Sequence, residues 1–119
     1  MSQIKREKLV LVTSYTTGRS DDDLIPDVIL FHGKHKELAR HVIVDAIKDD
    51  VVSMPNDALV SLKFIGVDAD TETARIPKAE VIDHVREALE TCYCVSLSFT
   101  TYSGEKVENV YCIHTVLTV

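Results

Sequence analysis

The sequence has no long hydrophobic run. Its longest uninterrupted apolar stretches are about five residues, whereas a helix that spans a membrane needs roughly 20. The opening segment, residues 1–6, lacks both the apolar core and the small-residue cleavage site of a signal peptide. We therefore expect a cytoplasmic protein that has no membrane partner.

Glycine is scarce, which removes several classes of catalytic loop. Only four glycines occur among 119 residues. They form neither a Walker phosphate loop, nor the glycine pattern of a dinucleotide-binding fold, nor the G-x-S-x-G motif around a nucleophilic serine. The sequence therefore gives little support to an enzyme, and we lean towards a protein without catalytic activity.

Clustered positive charge is also missing. The chain has 13 Lys and Arg residues against 19 Asp and Glu residues, and its net charge is −6. Apart from Lys5, Arg6 and Lys8, the basic residues are scattered. A surface that follows nucleic-acid phosphates needs grouped cations, so this acidic protein is not expected to bind DNA or RNA directly.

Cysteine is limited to Cys92, Cys94 and Cys112. An odd number without a signal peptide argues against a framework of disulfides. Residues two apart on a strand share a face, so Cys92 and Cys94 are expected to point the same way. No second ligand pair has the spacing of a zinc site. We predict unreactive thiols and no bound metal or cofactor.

The apolar periodicity predicts the order β-β-α-β-α-β-β. The predicted strands are Lys8–Tyr15, Asp27–Phe31 and Leu59–Val67, followed by a C-terminal hairpin over residues 93–119, and the predicted helices cover about 35–50 and 77–90. We expect one α+β domain, residues 1–119, in which two helices pack on one face of an antiparallel or mixed sheet of about five strands.

The C-terminal hairpin can pair in two registers. A two-residue turn at Ser103-Gly104 pairs Leu97 with Val110 and places Cys112 and His114 on the apolar face. A three-residue loop ending in Gly104 pairs Leu97 with Asn109 and places Tyr111 and Ile113 there instead. A shift of one residue moves every side chain to the other face, and the sequence leaves both registers open.

Both faces of the last strand are apolar, which suggests that one face packs in the core and the other against a partner. The predicted interface consists of Tyr111, Ile113, Leu117 and Val119. We accordingly expect a homo-oligomer or a complex with another protein.

One loop could bind a ligand. His32, Gly33, Lys34 and His35 lie between a predicted strand and a predicted helix start. Helix N-termini attract phosphate, glycine allows a close backbone approach, and histidine can exchange protons near neutral pH. An ordinary solvated loop would have the same composition.

An acidic loop offers a weaker signal. Asp68, Asp70 and Glu72 alternate as the ligands of a calcium loop do. An EF-hand would need glycine at the position of Thr73 and glutamate at that of Ala79, so no metal site is predicted.

The leading functional hypothesis is a small, non-catalytic interaction protein: an assembly component, a regulatory subunit or a small acidic inhibitor. The alternative is an enzyme or a sensor that binds a nucleotide or another phosphorylated small molecule through residues 32–35.

Overall fold

A computed structural model describes residues 7–17, 28–66, 70–72 and 75–118. The strands are β1 (Glu7–Thr17), β2 (Val28–Gly33), β3 (Leu59–Gly66), β4 (Asp70–Glu72), β5 (Ile76–Pro77), β6 (Cys92–Thr100) and β7 (Lys106–Thr118). The helices are α1 (Lys36–Ser53) and α2 (Val81–Ala88), and a short 3-10 helix (Lys78–Glu80) precedes α2.

The strands form one antiparallel sheet in the order β2-β1-β7-β6-β3-β4. The short β5 pairs with the first residues of β3, whereas β4 pairs with its last part. The predicted α+β class is confirmed, but the count of about five strands is too low. The two additional strands, β4 and β5, have only three and two residues. Such short segments carry no readable alternation, and β4 falls within the stretch that was interpreted as an acidic loop.

Helix α1 is longer than predicted and continues for one turn beyond Asp49 and Asp50. Its last turn contains no basic residue. Lys78, from the 3-10 helix, instead donates a hydrogen bond from Nζ to the carbonyl oxygen of Met54 at the end of α1, at 3.1 Å. A cation at this end is favourable because the helix dipole is negative there.

The core lies between the two helices and one face of the sheet. Alternate residues of the strands point towards the helices, as the period of two in a strand requires. The strand residues buried on this side include Val10 and Val12 on β1; Val60, Leu62 and Phe64 on β3; Val95, Leu97 and Phe99 on β6; and Val107, Tyr111 and Ile113 on β7. They form one cluster with buried residues of both helices, including Ile43, Ile47, Val81 and Val85. We call this side the helix-covered face, and the opposite side the helix-free face.

The register of the β6–β7 hairpin is that of the three-residue loop. Leu97 pairs with Asn109, and the backbone N–H of Thr101 donates to the carbonyl of Glu105 at 2.9 Å. Gly104 adopts a φ of 86°, a left-handed conformation that favours glycine. Tyr111 and Ile113 consequently lie on the helix-covered face.

In the part of the chain that the structure describes, no helix is both long enough and apolar enough to cross a lipid bilayer.

Candidate functional site

The structure separates the four residues of the predicted ligand loop. His32 belongs to β2 and pairs with Leu11 on the helix-free face. Lys34 and His35 precede the first turn of α1, where they line a depression of about 380 Å³ together with His41. His35 is the N-cap residue and makes no side-chain capping bond. The loop therefore offers one histidine to the sheet surface and the other to the helix start.

Gly33 has a packing role that the sequence does not reveal. A Cβ atom at this position would lie 2.7 Å from Cζ of the Phe31 ring. The absence of a side chain lets the ring of Phe31 cover the backbone at the end of β2. A side chain at this position would force the Phe31 ring to move, so Gly33 has a packing role whether or not a ligand approaches it.

The predicted interface residues do not lie on one open surface. Tyr111 and Ile113 are 6% and 5% exposed and pack in the core. The side chain of Leu117 and all of Val119 lie outside the described residues. Tyr111 and Ile113 expose little side-chain area to another molecule, so their part in an interface stays a prediction. The exposed side of β7 carries other residues.

That exposed side belongs to the helix-free face, which is partly apolar. Ile29, on the edge strand β2, is 62% exposed, and it pairs with Thr13 of β1. Tyr15 lies opposite Val110 of β7 on the same face. The face thus combines aliphatic and aromatic side chains with hydroxyl groups, and aromatic side chains are enriched at protein interfaces.

A disulfide bond crosses the middle of the helix-free face. Cys94 of β6 and Cys112 of β7 are directly paired and bonded through their sulfur atoms. The prediction of free thiols is therefore wrong for these two residues, whereas Cys92 is free and buried. Cys92 belongs to the core cluster and does not share a face with Cys94, because the register between β3 and β6 shifts at Tyr93.

A polar cluster interrupts the otherwise apolar helix-covered face. The hydroxyl of Tyr111 donates a hydrogen bond to Oδ2 of Asp50, near the end of α1. The Asn109 side chain also hydrogen-bonds the Asp50 carboxylate, and Thr16 Oγ1 donates to Asn109 Oδ1 at 2.8 Å. This network joins α1 to β1 and β7, two neighbouring interior strands of the sheet.

Burial dominates the titration of this pair. It raises the pKa of Asp50 above its ordinary value, while the hydrogen bonds from Tyr111 and Asn109 oppose the shift and the charge of Asp49 adds to it. Burial and the neighbouring Asp50 carboxylate raise the pKa of Tyr111, which therefore stays protonated. None of the surface depressions that we describe is lined by Asp50 or Tyr111, and we assign this pair a structural role.

The acidic motif forms part of a strand. Glu72 of β4 pairs with Lys63 of β3, and their charged atoms are 3.7 Å apart. Asp68 lies outside the described residues. No group of three or more potential metal ligands occurs within the described ranges.

Sequence reasoning missed the exposed residues of β1 and β2 that give the helix-free face its apolar character. One signal was present: β1 is apolar at successive positions from Leu9 to Val12. Such a pattern predicts a strand that is covered on both sides. In the structure one side faces the helices, while Leu9 and Leu11, on the other, are only half-buried.

No family model, no curated protein and no solved structure is significantly similar to this chain. The function of this chain is therefore inferred from its residues and their geometry.

Proposed function

We propose that this protein is a non-catalytic interaction module that associates with a second copy of itself through the helix-free face of its sheet. The observation that carries the proposal is the exposed apolar surface of that face, with Ile29 and Tyr15 among its residues. Sheets that pack face to face bury such side chains between them at a separation of about 10 Å.

The charge distribution supports a second copy of the chain as the partner that covers the helix-free face. The chain carries a net charge of −6, so two copies repel each other unless they meet across a neutral surface. The middle of the helix-free face is neutral: it carries Thr13, Tyr15, Ser96, Val110 and the disulfide. Self-association through this area avoids contact between like charges.

The size of the face is also adequate. Strands lie about 4.8 Å apart and rise about 3.4 Å per residue, so six strands of about eight residues present on the order of 800 Å². A standard interface buries about 800 Å² per partner. The helix-free face can therefore supply most of a stable dimer interface.

The test replaces an exposed apolar residue on each side of the molecule. Ile29→Asp places a carboxylate on the helix-free face, whereas Val52→Asp places one on α1, where Val52 is 81% exposed. Both substitutions add one negative charge to an exposed site, so they form a matched pair.

Size-exclusion chromatography with light scattering should show a dimer for the wild type and for Val52→Asp. Ile29→Asp should weaken dimerisation at least tenfold, because a charge would be buried at the interface. A wild-type chain that is strictly monomeric at high concentration would contradict self-association. A dimer that is equally sensitive to both substitutions would contradict the assignment of the face.

The alternative is recognition of a nucleotide or another phosphorylated small molecule at the start of α1. It is favoured by the depression there, which Lys34, His35, Lys36 and His41 line together with the acidic Glu37. Calorimetric titration with ATP should then show binding that Lys36→Ala weakens. Heats that are indistinguishable between wild type and variant would remove this alternative.

The cytoplasmic location stays a prediction, and the disulfide argues against it because such bonds are rare in reducing compartments.

A further inference from the structure

We propose that a depression at one end of the helix-free face binds a small organic anion, in which a carboxylate is attached to a short apolar body. The depression has a volume of about 330 Å³ and lies across β3, β6 and β7, beside the segment that leads into β5. This volume falls within the range of small-molecule sites.

Strand pairing brings hydroxyl groups together here. Ser61 of β3 pairs with Ser98 of β6, and both line the depression. Thr100, two residues further along β6, pairs with Lys106 at the start of β7. Three hydroxyl groups and an ammonium group thus line the same surface. The hydroxyl of Ser98 donates to Glu108, and each of the other three groups can donate a hydrogen bond to an oxygen of an anion.

The local charge is positive although the protein is acidic. Arg75 and Lys106 line the depression, and neither forms a salt bridge with another of the described residues. Among the described residues of the lining, Glu108 alone carries a carboxylate, and its Oε2 is 3.4 Å from the hydroxyl of Ser98. Two cations against one carboxylate favour an anionic ligand. The guanidinium of Arg75 matches the two oxygens of a carboxylate in a bidentate geometry.

The apolar part of the lining determines the rest of the ligand. Leu59 is 45% exposed at the rim, whereas Phe99 and Val107 border the depression but are buried residues of the helix-covered face. A second depression of about 290 Å³, whose lining includes Asp57, shares Leu59, Arg75 and Thr100 with the first. Arg75 therefore lies between two hollows, next to an apolar side chain, which suits a carboxylate carried on a ring or a short aliphatic chain.

Charge balance distinguishes this site from the depression between the helices. That depression, of about 270 Å³, is lined by Arg40 and Arg86 but also by Glu37 and Glu90. The formal charges of the two arginines and the two glutamates cancel, so this depression has less attraction for an anion.

The site can be tested by NMR titration of the full ¹⁵N-labelled chain with sodium benzoate, and separately with acetate and inorganic phosphate. Benzoate should produce saturating amide shifts at Ser61, Ser98 and Thr100, and acetate should bind more weakly because it lacks the ring. The double substitution Arg75→Ala and Lys106→Ala should weaken benzoate binding at least tenfold, through the loss of two charge-assisted contacts.

Lys63→Ala is the matched control, since Lys63 lies on the same face but pairs with Glu72, and it should leave the benzoate affinity unchanged. Glu108→Gln removes the opposing carboxylate and should strengthen binding severalfold. Shifts that rise linearly to about 50 mM benzoate, or that are equal in the double variant and the control, would overturn the proposal. Saturation by phosphate but not by benzoate would overturn the assignment to a carboxylate.

The same titration in the Ile29→Asp background separates this proposal from self-association. Ile29 is not among the residues that line the depression, so benzoate should bind this variant at least as tightly as it binds the wild type. Loss of benzoate binding there would contradict an independent site, whatever the oligomeric state.

Discussion

The two faces of the sheet are built from the same strands but differ in chemistry. On β6, Val95, Leu97 and Phe99 are buried against the helices, while Ser96 and Ser98 between them remain partly accessible. The helix-covered face is packed with aliphatic and aromatic side chains and interrupted by one polar network. The helix-free face mixes hydroxyl groups, exposed apolar residues and a disulfide.

The alternation of residues along a strand can thus specify two properties at once, a packed core on one face and an accessible surface on the other. Burial of apolar area on one face supplies most of the folding free energy. The other face is released from that requirement, and its residues can serve association or ligand binding. Substitutions at neighbouring positions of one strand should therefore have very different effects.

The largest effect is expected from Leu97→Ala. Leu97 is 0% exposed in the core, so the cavity should reduce the free energy of unfolding by about 4 kcal/mol. Ser96→Ala, the adjacent position on the helix-free face, should change it by less than about 0.5 kcal/mol. Urea denaturation of both variants at one protein concentration measures the contrast, and equal losses would refute the distinction between the faces.

The disulfide should come next. It joins residues 18 apart in sequence, and closing a loop of that length stabilises a fold by about 3 kcal/mol in the chain-entropy model. The double variant Cys94→Ser and Cys112→Ser should lose about this amount in denaturation experiments. Dithiothreitol should destabilise the wild type and leave the double variant unaffected. A wild type that is insensitive to the reductant would show that the bond contributes little.

Tyr111→Phe should have a smaller effect on the helix-covered face. The substitution keeps the ring but removes the donor to the partly buried Asp50 carboxylate, which should cost about 1 to 2 kcal/mol. It should also raise the pKa of Asp50 further, because the hydrogen bond from Tyr111 normally opposes the effect of burial. Denaturation and a ¹³C-detected pH titration of the carboxyl group measure the two consequences.

The sign of the pH dependence provides an independent check on this pair. Since the folded chain raises the pKa of Asp50 above 3.8, it binds that proton more tightly than the unfolded chain does. The resulting stabilisation is fully present below pH 3.8 and is lost as the pH rises through the raised value. Asp50→Asn does not titrate, so its stability relative to wild type should improve over that interval. A relative stability that falls instead would refute the raised pKa.

Part of the fold could be predicted because it follows from local patterns. The helical spacing of Leu38, Val42 and Ala46 locates α1, and the alternation from Val95 to Phe99 locates β6. The register of the hairpin was not decided because both sides of β7 are apolar. The structure has the three-residue loop, in which Gly104 adopts a positive φ, and the register that pairs Leu97 with Asn109.

The surface features depend on that register and were therefore beyond the sequence. Pairing Leu97 with Asn109 places Cys94 directly opposite Cys112, whereas the other register would have placed Ile113 there. Arg75 and Lys106 also depend on tertiary structure for their proximity. They are 31 positions apart in sequence and line one depression because β5, β3, β6 and β7 are assembled side by side. Patterns within one segment contain no information about such neighbours.

The position of β7 between β1 and β6 has a consequence for how the sheet assembles. Until β7 has been synthesised, the chain can form only two separate pieces, the β1–β2 hairpin and the group of β3, β4 and β6. Each piece has an unpaired inner edge, of the kind that invites pairing with other chains. Contacts this distant in sequence also form slowly. A chain truncated before β7 should therefore form two separate, aggregation-prone pieces of sheet and not a smaller version of the fold.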